Sequence, residues 1–113
     1  MSLNNDKALR YLGLAARAGK VIAGVEECCK AAEKKKKVLL IIAADAAKNA
    51  RKRADEAVER YGIGLLSVRY DKQQLGESIG KVKGVALMML TDENLAKAFM
   101  SAVKSDSEQE EQL

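Results

Sequence analysis

The chain has 113 residues, 48% of them hydrophobic and 32% charged, with a formal net charge of +4. That length supports one domain around one modest core, and the composition is neither disordered nor fibrous. The longest apolar run, Val38 to Ala44, is far too short to span a bilayer, and the start MSLNNDKALR lacks the apolar stretch of a secretory signal. A cytoplasmic chain with no membrane partner is therefore expected. The charge is uneven: residues 1–53 hold 13 Lys and Arg against 5 Asp and Glu, while Asp106, Glu108, Glu110 and Glu111 crowd the last nine positions. The body is thus more basic than the whole, and such a surface draws in polyanions, nucleic acid being the commonest.

Asn5 and Asp6 are placed to cap a first helix whose apolar positions Ala8, Tyr11, Leu12 and Ala15 recur every three or four residues, with Gly19 as its stop. Val21 to Ala23 reads as a short strand before Gly24. A helical period then returns from Glu26 to about Lys35 through Cys29 and Ala32. The continuous run from Val38 to Ala43 is expected to be a central strand covered on both faces. Ala46 to Tyr61 keeps Ala50, Ala54, Ala57 and Val58 on one side and forms a third helix closed by Gly62. Leu65 to Val68 is a strand, Asp71 caps a helix through Leu75 to Ile79, and Val85 to Leu90 is a final strand. Thr91 or Asp92 then caps a last helix carrying Leu95, Ala98, Phe99, Ala102 and Val103. Four strands alternating with five helices imply a mainly parallel or mixed sheet between helices, and the expected fold is α/β, a three-layer α/β/α sandwich with a four-stranded mixed sheet in a single domain over residues 1–104. Residues 105–113 are expected to form a disordered acidic tail.

No motif for catalysis survives its structural requirements. Gly76-Glu77-Ser78-Ile79-Gly80 spells a nucleophile-elbow pattern, but Ser78 falls in a predicted helix with no strand before it, and the chain contains no histidine to act as its base. Gly62-Ile63-Gly64 lacks the third glycine of a dinucleotide fingerprint and precedes a strand where the fingerprint should follow one. Cys28 and Cys29 are adjacent in a helical pattern, which disfavours a mutual disulfide and gives no metal-ligand spacing. Neither cofactor, metal nor enzymatic activity is expected.

The cations are more informative. Lys34 to Lys37 form a run that either complements the end of a helix dipole or contacts phosphate, and Arg51, Lys52 and Arg53 are spread over different helix faces. With only 4% aromatic residues, a base-stacking platform is not expected. The segment Gly24-Val25-Glu26-Glu27-Cys28-Cys29-Lys30 combines a flexible backbone position, the free N–H groups of a helix start and a polar face. By spacing alone, Glu26 and Glu27 are better read as first-turn residues that suit the helix dipole than as a binding edge.

These residues, together with Leu12-Gly13-Leu14-Ala15, Arg17-Ala18-Gly19-Lys20, Lys37 to Asp45, and Lys72-Gln73-Gln74-Leu75-Gly76 with Gly80, resemble the ribosomal protein L7Ae and L30e family. Within it they are most similar to the small bacterial YlxQ-type members. The resemblance runs from about Ala8 to Lys104 and implies a kink-turn RNA-binding domain. Such an RNA is a helix, bulge and helix bent at sheared G·A pairs. It further implies that Gly24, Glu26, Glu27 and Lys30 read guanine edges, with Glu26 standing where the family has asparagine. Lys81, Val82, Lys83 and Gly84 would cover the bulged nucleotide, and Lys20 and Lys37 would reach flanking phosphates. The implied partner is structured RNA, a kink-turn or ribosomal RNA, bound by a monomer. A protein-interaction module on the same scaffold is the alternative, favoured by Glu26 and the acidic end.

Overall fold

The computed structural model describes residues 6–34 and 37–111, with side chains through Asp106. In chain order its elements are α1 (Lys7–Arg17), β1 (Val21–Ala23), α2 (Val25–Glu33), β2 (Leu39–Ile42), α3 (Lys48–Tyr61), β3 (Gly64–Ser67), α4 (Lys72–Ser78), β4 (Leu87–Leu90) and α5 (Glu93–Glu111). The sheet order is β1-β4-β2-β3, with β2 and β3 parallel and β4 antiparallel to both β1 and β2. Of the mainly parallel and mixed arrangements that the alternation of elements allows, this is the mixed one.

The layers follow from the two-residue period of the central strands. All four residues of β2 and all four of β4 are buried, and alternate side chains serve opposite faces. Leu39, Ile41, Met88 and Leu90 join Ala8, Leu9, Leu12, Leu75, Phe99 and Ala102 in a core beneath α1, α4 and α5. Leu40, Ile42, Leu87 and Met89 join Cys28, Ala32, Ala54, Ala57 and Ile63 in a second core beneath α2 and α3.

Element ends depart from the apolar pattern where a backbone group finds another partner. The Val85 N–H donates to the Lys72 carbonyl at 2.9 Å, so the final strand begins at Leu87 and not at Val85. The Ala46 N–H turns back to the Ala43 carbonyl at 3.2 Å, and α3 starts at Lys48. Asp71 and Gln74 form the expected start of α4 as a reciprocal capping box. Asp92 caps α5, accepting from the Leu95 N–H at 2.9 Å. At α1, Asn5 lies outside the described residues, and Asp6 holds the N-cap position without capping. Its carboxylate instead accepts from Arg69 at 2.7 Å.

The expected boundary at residue 104 falls inside α5, which continues to Glu111. Asp106, expected in a disordered tail, is 9% exposed, and its Oδ2 accepts from the Ala8 N–H at 3.2 Å. The carboxylate thereby satisfies an orphan donor at the start of α1 that the Asp6 side chain leaves uncapped.

Candidate nucleic-acid interface

Since β1 and β2 both run opposite to β4, and β3 runs with β2, three strands deliver their C-terminal ends to one edge of the sheet. Each leads into a helix, so the starts of α2, α3 and α4 gather along that edge with the loop before β4. Helix starts present N–H groups and partial positive charge, which favour anionic ligands. Asp71 accepts at the start of α4, whereas α2 and α3 begin at Gly24 and Ala47 with no side-chain cap.

Gly24 forms the corner. Its N–H extends the sheet by donating to the Leu87 carbonyl, and its carbonyl accepts from the Cys28 N–H, both at 2.9 Å. To do both it adopts φ 110 and ψ 144, a region closed to residues with a Cβ. The missing side chain also leaves room for Glu27, whose Oε1 lies 2.6 Å from where a Cβ would stand. Glu27 therefore folds back over the helix start with its carboxylate exposed, and Lys30 is exposed one turn along.

Glu26 is held differently. Arg53, on α3, donates from Nη1 to Oε2 at 2.7 Å and from Nη2 to Oε1 at 3.2 Å. This planar fork and the positive charge behind it hold the Glu26 carboxyl below its ordinary range, so it stays ionised. Sequence reading missed Arg53 as a partner because it lies 27 positions away on another helix, where no local spacing signals the pair. Arg51 and Arg53 diverge as expected, since Arg51 turns to Ser67 Oγ at 3.0 Å while Arg53 pairs with Glu26.

Behind this face, Cys28 is buried and its Sγ donates to the Ile22 carbonyl at 3.4 Å. Burial, with Cys29 and Glu27 nearby, pushes its pKa up to about 12, so it is a packing thiol and not a reactive one. Ser78 donates to the Leu75 carbonyl at 2.7 Å within α4, as a helical serine does.

The loop from Lys81 to Gly84 is exposed throughout, and Val82 is 92% exposed. Its backbone is nonetheless tethered, because the Lys81 N–H donates to the Gly76 carbonyl at 2.9 Å. A Cβ at Gly76 would collide with the Lys83 carbonyl, so glycine is what lets the loop lie against α4. Pairing of Gly24 with Leu87 sets this loop on the same edge as the start of α2.

Lys20 and Lys37 are not brought to that edge. Lys20 precedes β1 and its carbonyl accepts from Thr91, beyond the far end of β4. Four extended residues, roughly 13 Å, separate it from Gly24 along the strand. Lys37 precedes β2, and its Nζ donates to the Tyr61 carbonyl at 3.1 Å, 5.6 Å from the Tyr61 ring centre. Both cations sit among helix C-termini, where their charge complements the dipoles. Lys35 and Lys36 lie outside the described residues, and Lys34 is exposed just past the end of α2.

Comparison with known proteins agrees with this architecture. Residues 6–100 match the model of the Ribosomal protein L7Ae/L30e/S12e/Gadd45 family. A curated relative, RNA-binding protein YlxQ of Enterococcus faecium, is 29% identical over 82 residues, spanning 73% of this chain and 79% of its own. Among solved structures, a Bacillus halodurans protein of unknown function superposes with a TM-score of 0.80 at 29% identity, covering 88% of this chain and 99% of that one. The Giardia lamblia 15.5kD RNA binding protein shares the fold with a TM-score of 0.70 at 21% identity, covering 86% of this chain and 82% of that one.

Proposed function

We propose, from the premise that this chain belongs to the Ribosomal protein L7Ae/L30e/S12e/Gadd45 family, that it binds a sharply bent, structured RNA of the kink-turn type and performs no catalysis. The observation that carries this reading is the corner at Gly24. A backbone conformation available to glycine puts the Glu27 carboxylate over an uncapped helix start, with exposed Lys30 on the same helix.

The chemistry is complementary. Sheared G·A pairs leave guanine N1–H and N2–H groups accessible, and the Glu27 carboxylate accepts from them, while Lys30 donates to guanine O6 or N7. Lys81 and Lys83 approach flanking phosphates, and the exposed Val82 supplies apolar contact to an unstacked base beside Gly84. Association with ribosomal RNA in the cytoplasm, as a monomer, is part of the same reading.

Titrating a kink-turn RNA against a copy with its G·A pairs replaced by Watson–Crick pairs tests it. Tighter binding of the bent RNA is expected, and equal affinity for the two overturns the proposal. Glu27→Ala or Lys30→Ala is expected to weaken the bent complex by about 1 to 3 kcal/mol. Neither should much affect the disrupted RNA.

A further inference from the structure

We propose that Arg53 is a specificity-determining residue of this RNA-binding edge, acting with Glu26 as one composite contact that both accepts and donates hydrogen bonds. The inference rests on the RNA-binding reading above and deepens it by naming what lets a carboxylate stand at position 26.

An ionised Glu26 alone suits an RNA edge poorly. It repels phosphate, and it cannot donate to a base acceptor. The fork to Arg53 changes both properties, because each carboxylate oxygen faces a guanidinium nitrogen at 2.7 and 3.2 Å. The pair is close to neutral, and although two of the five guanidinium donors serve Glu26 and Cys29 also lies within hydrogen-bonding reach of the group, donors are left for a partner. Its side chains are also within reach, with that of Glu26 63% exposed and that of Arg53 32% exposed.

Bracing α2 against α3 does not account for the pair. The two helices already share a core through Cys28, Ala32, Ala54 and Ala57, and an exposed ion pair adds little to stability. The same core gives the guanidinium a firm base, since Ala54 and Ala57 pack α3 against the sheet. Arg53 thus projects from a fixed helix onto the first turn of α2, one residue before Glu27.

The test is the affinity of the full chain for a kink-turn RNA and for its G·A-disrupted copy, with thermal melting of each variant as a folding control. Arg53→Ala leaves Glu26 unneutralised, and a loss of tenfold or more for the bent RNA is expected with little change in melting. Arg53→Lys keeps the charge but not the fork, and is expected to lose most of the same affinity. Adding Glu26→Gln to Arg53→Ala removes the repulsion and supplies an amide donor, so it is expected to recover much of the loss. The swapped pair Glu26→Arg with Arg53→Glu restores the ion pair but not its orientation, and should melt like the parent while binding weakly.

The proposal is overturned if Arg53→Ala binds within about twofold of the parent, or if Glu26→Gln recovers nothing in that background. It is also overturned if the swapped pair binds as the parent does, which would mark a simple brace. If the parent discriminates between the RNAs and Glu27→Ala weakens it, those failures strike Arg53 alone. A parent that binds both RNAs equally overturns the functional reading and this inference together.

Discussion

Gly24 holds φ 110 because it must end β1 and begin α2 within one residue, and a side chain there meets both backbone strain and the Glu27 carboxylate. Gly24→Ala is expected to lower stability by about 1 to 3 kcal/mol in urea unfolding. It should also displace Glu27, and so weaken RNA binding more than the stability loss alone explains. Cys28 makes a separate prediction. Its ordinary pKa of 9.0 rises to about 12 through burial in the folded chain, so the folded state keeps a proton that the unfolded state releases. Stability from this thiol is complete below about pH 9 and falls as pH rises toward about 12, by at most about 1.4 kcal/mol per pH unit. Tyr70 adds to the decline only above its ordinary value of 10.0. Unfolding measured between pH 9 and 10 should therefore show a shallower decline in Cys28→Ala than in the parent.

Elements were legible in the sequence wherever a period reports burial. The stripe of Ala8, Leu12 and Ala15 marks α1, and the unbroken Val38 to Ala43 run marks a strand covered on both sides, because burial acts on every residue of an element at once. Element ends were less legible. Val85 reads as strand, yet its N–H goes to Lys72, a choice made by a loop and a helix meeting in space. The acidic end of the chain is the clearest case. Composition marks residues 105–113 as a tail, but Asp106 is the acceptor for the Ala8 N–H, and 98 positions of sequence separate the two. Asp106→Ala is expected to cost about 0.5 to 2 kcal/mol, the usual worth of a helix cap, in denaturant unfolding. Ending the chain at residue 104 should cost at least as much, and a truncated chain as stable as the parent would show that the contact contributes nothing.

At the scale of the whole molecule, strand direction decides which charges act together. Helix starts gather on the edge holding Gly24, Glu26, Glu27 and the Lys81 to Gly84 loop, whereas Lys20 and Lys37 stand on the other. The salt dependence of RNA affinity should report that division. Lys81→Ala or Lys83→Ala is expected to reduce the slope of log affinity against log salt by about 1, and Lys20→Ala to leave it unchanged. Lys37→Ala should lower stability instead, since its ammonium is bound to the end of α3.

The sequence by itself determined the alternation of helices and strands, the three-layer α/β/α fold, and the local chemistry of Gly24, Glu27 and Lys30, which share one helix start. Periodicity, glycine and neighbouring side chains act over a few residues, and a linear reading captures them. Only the tertiary structure decided that Arg53 neutralises Glu26, that Asp106 caps α1, and that Lys20 and Lys37 stand at the opposite end of the strands from Gly24. Each depends on the direction and pairing of elements far apart in the chain, where electrostatic and hydrogen-bond partners are chosen by distance in space and leave no spacing to read.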